Sequence, residues 1–162
     1  MSAVAGPAAT ADKPAQVTDV ALHDRLEIEA VHAFLTEQMG PGLVEDLSSF
    51  VESLSPDTDP AVAPAAAVAR QGEAIVGAIV GAYLREANVG MALYSAVRGP
   101  ARRHGVYTSL RRRLVDALAS LAGTFEEHGG GRRAGPGELS YIVSEVEPGT
   151  RLHRAYAERL GA

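Results

Sequence analysis

Apolar residues recur along the chain in two periods. From Asp19 they fall at helical spacing, with Leu22, Leu26, Val31 and Leu35 on one face, until Gly40-Pro41-Gly42 stops the run. The spacing predicts a second helix over Leu43 to Leu54. "SPDTDPAVAP" follows, with three prolines and two aspartates, and reads as a linker inside the domain. The period then changes. Ala65 to Arg70 is a short apolar run, Gln71-Gly72-Glu73 is a hairpin turn, and "AIVGAIVGAYL" from Ala74 to Leu84 reads as a strand buried on both faces. Its Val and Ile content, with Gly77 and Gly81 in its interior, favours a strand over a buried helix. "NVGMALYSAV", Asn88 to Val97, completes an antiparallel meander of three strands.

Helical spacing returns at Val106, Leu110, Leu114, Leu118 and Leu121, with Arg111, Arg112, Arg113 and Asp116 largely off that stripe and Gly123 near the helix end. "HGGGRRAGPG" is a loop, Glu138 to Val146 is a strand, and Pro148-Gly149-Thr150 opens a last short helix to Leu160. Residues 1–15 are rich in Ala, Pro and Gly and aperiodic, so they are expected to be a disordered lead-in to a single domain over 16–162.

Composition narrows the chemistry. The chain has 162 residues, 46% of them hydrophobic, enough for one core. A net charge of -5 means that any polyanion site must be local. The absence of cysteine removes disulfides, thiolate metal sites and cysteine nucleophiles. There is no signal-peptide pattern and no apolar run long enough to span a bilayer, so the expected location is the cytoplasm, away from membranes. His23, His32, His128 and His153 lack ligand spacing, and no metal is expected.

Against this acidic background, "RGPARRHGVYT" from Arg98 to Thr108 gathers Arg98, Arg102, Arg103 and His104 around Gly99, Pro100 and Gly105. It lies between a buried strand and a helix start. There, unpaired backbone N–H groups and the positive end of a helix dipole favour an anion, phosphate above all. The stretch is not a Walker loop, since it lacks Gly-Lys-Ser/Thr, and its glycine spacing is wrong for a dinucleotide fingerprint. On spacing alone, a solvated basic turn reads equally well.

The chain resembles the GNAT superfamily of acyl-CoA-dependent N-acyltransferases. The signature is an apolar residue ending a strand and, five residues on, Arg/Gln-x-x-Gly-x-Gly/Ala at a helix start. Here it reads Val97, then Arg102-Arg103-His104-Gly105-Val106-Tyr107, with Tyr107 in place of the final Gly/Ala. The resemblance covers about Ala65 to Ala162, ending in "AERLGA". It implies an α+β fold: a central, mostly antiparallel sheet with a splayed strand pair, flanked by about four helices. It further implies acetyl-CoA or another acyl-CoA as co-substrate. By position, Arg102, Arg103, His104, Gly105, Val106 and Tyr107 would line the pyrophosphate, with Thr108 adding a hydroxyl. The backbone around Ser95 to Val97 would hold the pantetheine arm, and Arg98, Arg103 and Arg111 to Arg113 are within range of the 3'-phosphate or face solvent. The acceptor would be a small-molecule amine or a protein amine.

The family reaction needs an acid for the departing thiolate and a base for the amine. The resemblance makes Tyr156 the candidate acid, one residue before the family position at Ala157; by its spacing with Leu152 and Leu160 it equally suits the core. Glu145 is the candidate base, and Glu147 reads as a charged strand end. The strand from Asn88 to Val97 has no acid, and Tyr94 or Ser95 could position only a water or the acyl carbonyl. Family members usually continue with two further strands, whereas this sequence stops at Ala162. A homodimer covering the exposed edge, a missing C-terminal portion, or a degenerate domain that binds CoA or a protein partner without efficient catalysis would each account for that. A nucleic-acid-binding role for the arginine cluster ranks last, given the charge and 5% aromatics.

Overall fold

The computed structural model describes residues 14–127, 139 and 141–144, the last four as backbone. The elements are β1 (Gln16–Asp19), α1 (Arg25–Met39), α2 (Leu47–Ser53), β2 (Val62–Gln71), β3 (Ala74–Leu84), β4 (Val89–Val97), a 3-10 turn (Gly99–Ala101), α3 (Val106–Glu127) and β5 (Tyr141–Ser144). The strands form one sheet in the order β1-β2-β3-β4-β5. The first four are antiparallel, and β5 runs parallel to β4. This is an α+β architecture, as the sequence implied.

Several boundaries differ from the sequence expectation. Residues 16–19, to which the sequence pattern assigned no element, are a strand on β2, with Val17 opposite Ala69. The helix expected from Asp19 begins at Arg25, because Asp24 caps it by accepting from the N–H groups of Leu26 (3.0 Å) and Glu27 (3.3 Å). That start sets the face: Ile28, Val31, Phe34 and Leu35 are buried, whereas Leu26 is 77% exposed. In the same way Asp46 caps α2 and trims it to seven residues. β2 begins at Val62, so the last residues of the expected linker are strand. Pro64 fits there because Ala66, two residues on, turns its carbonyl outward to Val20 N–H (2.9 Å). Strand alternation therefore puts the donor that Pro64 lacks on the outer edge, past the end of β1. α3 runs through Gly123 to Glu127. The expected final helix lies outside the described residues.

Each sheet face has its own core. α1 and α2 bury Val31, Phe34, Leu35, Phe50 and Leu54 against Ala66, Val68, Ala78 and Val80. On the other face, α3 packs Val106, Leu110, Leu114 and Leu118 against Ala63, Ala65, Ala67, Ala69, Ile79 and Tyr83. The small residues set the depth at which α3 sits. A Cβ on Gly77 would lie 2.9 Å from Leu110 Cδ1, and one on Gly81 would lie 3.0 Å from Leu114 Cδ2. Close contact of this kind aligns α3 so that its first turn follows the end of β4.

Candidate functional site: the end of β4 and the turn into α3

β4 pairs with β3 along its whole length but with β5, among the described residues, along only part of it. Val89 to Ala92 pair with Tyr141 to Ser144 of β5, and beyond Ala92 no strand covers that edge among the described residues. The last of these pairs coincides with a β-bulge. Val80 stands opposite Tyr94 but Gly81 stands opposite Ala92, which leaves Leu93 as the extra residue, 43% exposed. Arg98 N–H donates to the Val76 carbonyl on β3 (2.8 Å). Alternation then turns the backbone groups of Ser95 and Val97 toward the uncovered edge, where an extended ligand could pair with them.

The chain leaves β4 through the 3-10 turn and reverses at Gly105, whose φ of +71° is a left-handed conformation suited to glycine. The Gly105 carbonyl accepts from Ser109 N–H (3.0 Å) and so starts α3. Among the described residues, the N–H groups of Arg103, Gly105, Val106 and Thr108 make no hydrogen bond. Residues 102–105 and Thr108 are exposed, and Val106 is buried beneath them as an anchor. Four backbone donors at the N-terminus of a 22-residue helix form a positive concavity suited to an anion. Nothing lies within 4 Å of a Cβ on Gly105, so the turn opens outward.

The side chains divide by role. Tyr107 is half-buried and packs against the core under α3, with its bulk directed there. Arg98 faces α1: its two terminal nitrogens reach Glu37 at 3.2 and 3.3 Å, and it stacks 5.6 Å over Phe34. Arg113 pairs with Asp19 at 2.7 and 2.6 Å, which raises its already high pKa. Neither is directed at the turn. Arg103, Arg111 and Arg112 are exposed. Arg102 folds back, its Nε donating to the Val97 carbonyl at 2.9 Å. His104 is exposed. Glu145 and Tyr156 lie outside the described residues.

On the α1 side of β4 stands a group that sequence spacing did not reveal. Tyr94 packs 6.1 Å from Phe50, and His32 meets Phe50 edge-on at 5.0 Å while its Nε2 lies 2.8 Å from the Glu45 carbonyl oxygen. Burial pushes the Tyr94 phenol above its ordinary pKa and the Glu45 charge adds to this, against a backbone hydrogen bond from Glu45. Tyr94 therefore remains a neutral phenol beside the bulge. No local spacing could have located the group, because its members come from α1, α2 and β4 and meet only through the α1-side core.

A cleft of about 420 Å³ lies elsewhere, at the β1–β2 edge, lined by Asp19, Pro64, Arg113 and Asp116 among others. It is remote in the sheet from β4, and its guanidinium and nearest carboxylate are already paired to each other. The turn after β4 has the stronger chemical rationale. Among the described residues no group of three His, Asp or Glu side chains converges as a metal site, and no helix is long and apolar enough to cross a membrane.

No family model matches the chain, and no curated protein matches it. Solved structures do. An aminoglycoside acetyltransferase from an uncultured soil metagenomic sample shares 16% identity over 93% of this chain and 92% of its own, with a TM-score of 0.64. AAC(6')-Iy, solved with the bisubstrate analog CoA-S-monomethyl-acetylneamine, shares 14% identity over 92% and 90%, with a TM-score of 0.59. A tandem GNAT protein from the clavulanic acid biosynthesis pathway shares 22% identity over 92% of this chain and 44% of its own, with a TM-score of 0.53. The chain thus has the GNAT fold.

Proposed function

We propose that the protein transfers an acyl group, acetyl by resemblance, from acyl-CoA to an amine by direct attack in a ternary complex. One observation carries the reading: the backbone edge at Ser95 and Val97, which no strand covers among the described residues, runs straight into the donor-rich turn at Gly105. An amide-bearing arm fits the edge and a diphosphate fits the turn. From Val97 back to Leu93 the strand spans roughly 13 Å at about 3.3 Å per residue. An arm laid along it would bring its thioester to the bulge.

There the amine lone pair would attack the thioester carbonyl carbon, forming the C–N bond and a tetrahedral oxyanion. Collapse would break the C–S bond, the thiolate taking one proton as the amine gives one up. Tyr94, a neutral phenol beside the bulge, could donate a hydrogen bond to the acyl oxygen. Glu145 is kept as the proposed base and Tyr156 as the proposed thiolate acid.

Thermal unfolding of the purified protein with millimolar acetyl-CoA tests the reading. A raised midpoint is expected, since a ligand bound only by the folded state must stabilise it. No shift would overturn the acyl-CoA assignment. Release of free thiol across a panel of small-molecule and peptide amines then tests transfer. Binding without release would instead favour a module that holds CoA or a protein partner without efficient turnover.

A further inference from the structure

The edge of β4 beyond Ala92, which no strand covers among the described residues, is already occupied at one atom. The Val97 carbonyl, turned outward by strand alternation, accepts from Arg102 Nε at 2.9 Å. An extended amide arm pairing with β4 would place its own N–H at that carbonyl. Arg102 is also the residue immediately before the donor-bearing turn of Arg103 to Gly105, and it is exposed on its outer side. It has no carboxylate partner within salt-bridge distance among the described residues, unlike Arg98 and Arg113. Its charge is thus committed only to a neutral backbone oxygen.

We propose that Arg102 is a specificity-determining cap. It closes the β4 edge to ligands that offer only an amide arm and yields to ligands that also bring a diphosphate. The inference rests on the acyl-CoA reading above. A hydrogen bond with one charged partner contributes about tenfold in an equilibrium, and an arm that takes the Val97 carbonyl forfeits it. A neutral arm returns nothing to the displaced guanidinium. A diphosphate seated on the turn offers it two N–H···O⁻ bonds for the one displaced, so the loss is recovered about tenfold over. The discrimination is therefore between CoA thioesters and thioesters of unphosphorylated pantetheine.

The test measures CoA by calorimetry and pantetheine by NMR titration, on the full chain and on Arg102→Ala and Arg102→Gln, with unliganded melts confirming that both variants fold. In Arg102→Ala, CoA affinity is expected to fall about tenfold while pantetheine affinity rises about tenfold, opposite signs from one truncation. Arg102→Gln keeps a neutral donor for Val97 without the charge. It should bind pantetheine with an affinity between those of the wild type and Arg102→Ala, and CoA more weakly than the wild type. Pantetheine affinity that is unchanged or lower in Arg102→Ala, or undetectable at millimolar concentration, overturns the cap while leaving the CoA reading intact. Failure of CoA to bind the wild type overturns both.

Discussion

The carbonyl of Met91 lies against the α-carbon of Gly81 so closely that a methyl group there would collide with it. The contact follows from the bulge, which opposes Ala92 and Leu93 to a single position on β3 and turns the β4 backbone inward. Gly81 thus stands opposite Ala92, the last β4 residue paired with β5 among the described residues.

Gly81→Ala is expected to be markedly worse than Gly77→Ala. At Gly81 the obstruction is backbone, which can yield only by moving the bulge, so a loss of about 2 kcal/mol is expected, roughly 6 °C in melting midpoint. At Gly77 the nearest atoms are Leu110 Cδ1 at 2.9 Å and Val106 Cγ1 at 3.1 Å, both on side chains that can rotate. A loss of about 1 kcal/mol or less is expected there. Equal melting midpoints for the two variants would show that the bulge does not depend on Gly81.

The meander was legible because each of its signals is local. Ala74 to Leu84 appears in the sequence as a Val/Ile run bounded by a Gly turn, and the strand has those limits. The turn at Gly105 was legible through its spacing from Val97. β1 was not, because Gln16 to Asp19 alternates too briefly to signal a strand and is held by pairing with Ala67 to Arg70, about 50 residues away. The helix register was misread at Leu26 because an aspartate cap at Asp24, not the apolar spacing, fixes where the helix begins. Long-range side-chain commitments, such as Arg98 to Glu37 across 61 residues, leave no trace in local spacing. For that reason the arginine cluster read as a uniform patch, although its members do different things.

Asp46 gives a pH dependence of definite sign. Its carboxylate accepts from Ser49 Oγ and from the N–H groups of Ser49 and Ser48, which holds its pKa below the ordinary value. A carboxyl with a depressed folded pKa contributes stability above its unfolded value, and that contribution is lost as pH falls through the folded one. The melting gap between wild type and Asp46→Ala should therefore be full at neutral pH and close below about pH 4. A gap that persists unchanged in acid would remove the charged cap from the account of α2.

Tyr94 makes the complementary case. Its phenol is raised first by burial and then by Glu45, so the fold favours the neutral form. That contribution is complete below the unfolded value near 10 and is lost as pH rises through it toward the folded value. In the ultraviolet difference titration of wild type against Tyr94→Phe, the phenolate step should fall above pH 10. Glu45→Gln should move it down while leaving it above the ordinary value, since burial is the larger cause. A step that does not move in Glu45→Gln would place the carboxylate too far from the phenol to act on it.

The decisive substitution lies at Gly105. Its φ of +71° is strained for any other L-residue, while the space around a Cβ is open. Gly105→Ala should therefore cost about 1 kcal/mol in stability through backbone strain alone, and CoA binding should weaken only modestly. Gly105→Glu carries a similar backbone cost but sets a carboxylate among the N–H groups of Arg103, Val106 and Thr108, where it both repels and competes with a diphosphate. CoA binding, read as a thermal shift at millimolar ligand, should vanish in Gly105→Glu while the unliganded melting midpoint stays close to that of Gly105→Ala. The comparison separates charge from strain. Loss of binding in both variants would point to the shape of the turn, and retention in both would place the anion elsewhere.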